Sequence, residues 1–256
     1  MILSEYYLLK CFETSEYRRD FLSGENIYLN STAHFWSIEN AFQQDLEGLV
    51  ASGSNGYLLL TKPGFEEVVK RASSVNEVLE TVNGFGKIIG EGVDFSFRID
   101  GYICCFYLLP KNDVSIENER LFFLNEEAKH GFSQYILNYC IENRSEPGNV
   151  YSSIFDANSF CNTFLNGMSQ KGYALTSGDV EYRDLEISQR IKLYQNKEIA
   201  QLVFTKPVKY SYQKEFRIFV SKQAGIIEDH ISESGIDFSR SIIGTFDFFN
   251  IHSRSE

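Results

Sequence analysis

Gln213, Glu215 and Arg217 fall on alternate positions of YSYQKEFRIFV, residues 210–220, setting an amide, a carboxylate and a guanidinium at strand spacing. In an extended chain the side chains alternate between faces, so these three share one face with Phe219 while Phe216, Ile218 and Val220 share the other. The second set reads as a core stripe. The first suits glycosidic chemistry at a ribose: a carboxylate stabilises the oxocarbenium-like centre of the breaking bond, and an amide two residues earlier orients the acceptor. The same residues also fit an ordinary strand exterior, with Glu215 paired to Arg217 and Gln213 hydrated.

Two further groups are candidates. QQDLEG places Asp45 and Glu47 ahead of Gly48. Acids so spaced could hold a divalent cation or receive a hydroxyl proton, but no His or third carboxylate stands at ligand spacing, and a glycine turn with solvated acids fits equally. NSTAHF gathers Asn30, Ser31, Thr32 and His34, which could hold a ribose or phosphate or simply form a turn. His34, His130, His230 and His252 are scattered, and HExxH, GxSxG and GxGxxG are all missing from the sequence. Cys11, Cys104, Cys105, Cys140 and Cys161 form an odd set without CxxC spacing, so the expectation is buried free thiols in a reducing compartment and no metal site.

The elements that must position these residues follow from pattern. YYLLKCF (6–12) reads as a strand, TSEYRRDFLSG as a helix capped by Thr14 or Ser15 and stopped by Gly24, and NIYLNS (26–31) as a second strand. HFWSIENAFQQDLEG (34–48) reads as a short helix and turn, and GYLLLTKPG (56–64) as a strand. FSFRID and GYICCFYLL (95–109) read as a hairpin whose second arm, apolar on both faces, is central in a sheet. Residues 126–143 and the stretch from Asp156 to Gly172 carry the i, i+3, i+4 stripe of amphipathic helices. YALTSGDVEY, IAQLVFTKPVKY, QKEFRIFV and GIIEDHI predict a strand-rich last third. The fold expectation is α+β: one domain over 1–256, a mixed or antiparallel sheet with packed helices, and at most a loop break near 142–149.

With 43% hydrophobic residues, and 22 Phe and 15 Tyr against 4 Pro, the chain of 256 residues has the apolar area to fold. A net charge of −11 and a pI near 5.0 exclude broad nucleic-acid or anionic-membrane adhesion. A nuclease reading fares worse than the ribose one, because no strand-borne acidic pair followed by ExK is visible and the negative charge disfavours approach of the substrate. The start carries no basic leader and no apolar run approaches the roughly 20 residues of a spanning helix, so a cytoplasmic location and no membrane are expected.

EYRRDFLSGENIYLNSTAHFWSIENAFQQDLEG, followed later by KPVKYSYQKEFRIFV, resembles a group of largely uncharacterised bacterial and phage proteins grouped with abortive infection and mobile elements. Their opening has a DxEG box and their end a K...YsyQ.EyR strand. More distantly, the strand, helix, strand opening with a late QxE is similar to the ADP-ribosyltransferase fold, whose first strand usually carries Arg or His where this chain has Lys10 or Cys11. That resemblance implies NAD as cofactor, Glu215 catalytic, Gln213 orienting the acceptor, and Lys10, Ser31, Thr32 and Arg217 near the nucleotide. The alternative it leaves is a non-catalytic protein-binding module, a phage sensor, inhibitor or immunity partner. Either way the expected partner or target is a protein.

Overall fold

The computed structural model describes residues 2–32, 56–59, 86–89, 92–97, 101–117, 120–142, 150–185, 189, 193, 196, 198–222, 230–247 and 252–253. The chain runs β1 (Tyr6–Phe12), α1 (Ser15–Ser23), β2 (Ile27–Ser31), β3 (Gly56–Leu59), β4 (Gly86–Ile89), β5 (Gly92–Phe97), β6 (Tyr102–Pro110), β7 (Val114–Glu117) and β8 (Arg120–Phe123). It continues α2 (Glu126–Glu142), β9 (Tyr151–Asp156), α3 (Ala157–Gln170), β10 (Tyr173–Asp179), β11 (Glu181–Tyr182), α4 (Ile199–Val203) and β12 (Thr205–Lys206). A 3-10 turn (Val208–Gln213) then leads to β13 (Glu215–Lys222), β14 (His230–Glu233), β15 (Ile242–Asp247) and β16 (His252–Ser253).

The fold is α+β. The main sheet runs β10-β13-β6-β1-β9-β15 with antiparallel neighbours throughout, and the antiparallel pair β2–β14 joins it at β6. β6 is buried along both faces, as its unbroken apolar run requires of a central strand. One face packs under α1 and α3 through Leu8, Phe12, Phe21, Phe106, Phe155, Phe160, Phe216 and Phe238. The other packs against α2 through Leu9, Tyr107, Phe132, Ile136 and Ile154, and against α4 through Ile103, Leu202, Val203 and Phe219. Strands on both sides of 142–149 belong to this one sheet; residues 143–149 lie outside the described residues.

Local chemistry sets the helix ends. Thr14 Oγ1 accepts the Tyr17 N–H at 3.1 Å, satisfying one of the donors a helix start leaves open, and Gly24 closes α1 with φ 68°. A Cβ at Gly24 would also strike the Ile236 carbonyl, so glycine is needed there twice over. Thr14→Ala is expected to cost about 1 kcal/mol, read as a lower urea midpoint at unchanged slope.

Asp156 caps α3 by accepting the Ser159 N–H at 2.9 Å and an ammonium N–H from Lys111 at 2.7 Å. Burial works to raise its carboxyl, but the bond and charge of Lys111 and the Ser159 amide outweigh it and hold the group below the usual carboxylate range. A depressed folded value means the contribution is present above the unfolded value and is lost as pH falls through the folded one. The stability gap between the wild type and Asp156→Asn should therefore narrow as pH drops below about 4, checked by urea melts across an acid series.

The sheet corrects two expectations. β5 does not pair with β6; it lies between β3 and β4 in a separate three-stranded sheet. The cause is competition for edges, because β13 takes one edge of β6 while β1 and β2 divide the other. IAQLVFTKPVKY is not a strand either: it holds α4, the two residues of β12 and the start of the 3-10 turn. Pro207 supplies no N–H to a ladder, so the extended segment stops at Lys206.

Candidate functional site

The site is built by the turn that interrupts the predicted strand. Pro207 precedes the 3-10 turn, and the chain leaves it through Lys214 in the left-handed region at φ 39° before β13 begins at Glu215. Gln213 therefore does not share the strand with Glu215, as strand spacing predicted, but ends the turn. The turn brings its amide back to the end of β12, where Lys206 Nζ donates to Gln213 Oε1 at 2.6 Å. Alternation does hold from Glu215 onward: Phe216, Ile218 and Val220 enter the α1–α3 core, while Glu215, Arg217 and Phe219 face the α2–α4 side.

On that side the polar groups close on one another. Lys206 Nζ sits 2.6 Å from Glu215 Oε2, and Arg217 Nε donates to Glu215 Oε1 at 2.6 Å. Arg217 Nη1 donates to the Val203 carbonyl at 2.6 Å, which ties β13 to the end of α4. The Tyr182 hydroxyl accepts the Glu215 backbone N–H at 2.8 Å. All four charged or amide side chains are buried: Lys206 is 2% exposed, Gln213 7%, Glu215 6% and Arg217 1%.

Burial alone would raise the Glu215 carboxyl. The charges of Arg217 and Lys206, with hydrogen bonds from Arg217 and Cys105, overcome that and hold it far below the usual carboxylate range. Tyr182 moves the other way, raised by burial and by the Glu215 charge. Glu215 is thus a permanent anion clamped by two cations, and Cys105, directly across from Arg217 in the β6–β13 register, supplies a thiol to the same cluster.

The other residues expected at a nucleotide lie elsewhere. Lys10 is on the α1–α3 face of β1, its ammonium 5.7, 5.5 and 5.3 Å from the ring centres of Phe12, Phe21 and Phe106. Ser31 follows Ile27 and Leu29 on the same side and pairs with Tyr102. Thr32 is buried and donates its backbone N–H to Gly101 O at 2.9 Å. Lys10 and Ser31 are therefore separated from Glu215 and Arg217 by the thickness of the sheet, and they do not line one groove with them. The cause is parity: Leu9 and Tyr107 share Glu215's face, so Lys10, one residue on, faces away. His34, Asp45 and Glu47 lie outside the described residues.

Sequence reasoning missed Lys206, the residue that turns a surface pair into a buried cluster. A signal was available, because Lys206, Tyr210, Gln213, Glu215 and Arg217 all belong to the quoted K...YsyQ.EyR box, and the Lys206 ammonium also lies 5.8 Å from the Tyr210 ring centre. Among the described residues no group of three His, Cys, Asp or Glu could hold a metal ion. No described helix is long and apolar enough to cross a membrane. No family model, curated protein or solved structure matches the chain.

Proposed function

We propose that the chain is a non-catalytic protein-recognition module, with its QxE box as architecture, acting as sensor, inhibitor or immunity partner where bacteria and phages or mobile elements conflict. One observation carries the non-catalytic half: both Glu215 oxygens are engaged, one by Lys206 and one by Arg217, with the side chain sealed from solvent. A carboxylate that must meet a ribose would first have to leave both cations, at the cost of stranding buried charge. The conflict setting rests on the sequence resemblance alone.

A recognition role also has surface to work with. Leu137 and Ile141, one turn apart on α2, are 53% and 73% exposed, and the chain carries a net charge of −11. The expected result with the purified chain, NAD and cell extract is no nicotinamide release and no ADP-ribose mass added to any protein. Steady nicotinamide release would overturn the proposal in favour of an NAD-dependent transferase using Glu215.

A further inference from the structure

The path of the main sheet ends in two edges of unlike build. β15 forms one, and its register on β9 shifts between Ile242 and Gly244, an irregularity of the kind that spoils an edge for further pairing. β10 forms the other, seven residues, YALTSGD, in unbroken register with β13 and without lysine or proline. One bond fixes which way its backbone groups point. Val180, just past the end of β10, donates its N–H to the Glu215 carbonyl at 2.9 Å, so in this antiparallel register Gly178, Thr176 and Ala174 also turn their backbone groups toward β13. The N–H and C=O groups of Leu175, Ser177 and Asp179 then turn outward, where no described strand pairs with them. Solvent reaches this edge: Ala174, Thr176 and Asp179 are exposed.

We infer that the outer edge of β10 is a docking strand, which takes an extended, basic segment of a partner protein as one more antiparallel strand of the sheet. It is the surface through which the proposed recognition role acts, and it rests on that reading. Outward donors and acceptors on alternate residues fit a partner whose own backbone is extended, because the backbone groups of a helix interior are already paired. Side chains of the edge divide between the two faces of the sheet. Leu175, Ser177 and Asp179 share the side of Val220 and the α1–α3 core, while Ala174, Thr176 and Gly178 share the α4 side with Phe219. Charge selects the occupant. Asp179 is exposed at the end of the edge, and Glu181 follows it, 3.4 Å from Arg183. A net charge of −11 opposes pairing with a second copy of the chain and favours a basic segment.

The test uses the full chain and a fluorescein-labelled peptide, Lys-Val-Thr-Val-Val-Thr, with binding read by fluorescence anisotropy. In antiparallel register this peptide sets Lys opposite Asp179, Thr opposite Ser177 and Val opposite Leu175. The expected result is saturable binding. The same peptide N-methylated on the two amides opposite Ser177 and Leu175 keeps its side chains and should bind roughly tenfold or more weakly, through the loss of two backbone hydrogen bonds. Ser177→Pro removes an N–H that faces away from β13, so the ladder to β13 is spared; it should weaken binding by a similar factor with the circular dichroism spectrum unchanged. Should that variant unfold, Asp179→Lys takes its place: it alters an exposed side chain, and should weaken the Lys peptide while strengthening a peptide with Glu at that position. No saturation up to about 1 mM, equal binding of the methylated peptide, or binding indifferent to both variants would each overturn the docking strand. So would a chain that doubles in mass on concentration and returns to a monomer with Ser177→Pro, because a second copy then holds the edge. Nicotinamide release in the NAD assay would remove the recognition reading itself, whereas failed peptide binding without nicotinamide release removes the docking strand alone.

Discussion

Glu215→Gln is expected to destabilise the protein by about 3–5 kcal/mol, because it leaves Lys206 and Arg217 buried without the carboxylate that both contact. The measurement is urea unfolding at neutral pH, and an unshifted midpoint would show that the cluster contributes nothing. Replacing all three charges together, as Lys206→Met with Glu215→Leu and Arg217→Met, should recover most of that loss. The desolvation penalty disappears with the charges that incurred it. The pair of variants separates the worth of the cluster from the cost of breaking it. It also bears on function: a variant that unfolds loses any activity, so lost activity in Glu215→Gln alone does not mark a catalytic residue.

The second large effect is Phe160→Ala, expected to cost about 3–5 kcal/mol. Phe160 is fully buried on α3, with the ring centres of Phe155, Phe238, Phe106 and Phe164 at 4.7, 4.8, 4.9 and 5.7 Å. Its removal takes a partner from rings on β6, β9, α3 and the segment before β15 at once. Because those rings brace one another, the cavity collapses poorly and the cost falls at the high end. A midpoint shift no larger than that of Thr14→Ala would contradict this picture. The comparison is internal, since Phe160 lies on α3 and Thr14 caps α1, two helices packed against the same face.

The elements legible in the sequence are those with a single competing answer. Thr14 and Gly24 punctuate α1, Asp156 caps α3, and the two-faced apolar run of β6 makes a central strand, all as pattern requires. Failures occur where pairing partners decide. The β5 segment has strand character, but whether it joins β6 depends on the edges that β1, β2 and β13 occupy. The candidate site shows the same division. Faces could be assigned from Glu215 onward, yet Gln213 reached the cluster by a turn rather than by strand alternation, because Lys206 and Glu215 are brought together around it. Parity within β1 would have put Lys10 opposite Leu9, but only the register between β1, β6 and β13 relates that face to Glu215's.

The strand order has a consequence for how the chain is made. β1 leaves the ribosome well before β6 and β9, the two strands it lies between, and β9 in turn is bounded by β15, made later still. β1 therefore waits with unpaired edges until residues 102–110 and 151–156 are made, and the outer edge of β9 is covered only once residues 242–247 follow. Nascent chains halted before Tyr151 should bind holdase chaperones and sediment, whereas chains halted after Asp247 should resist protease.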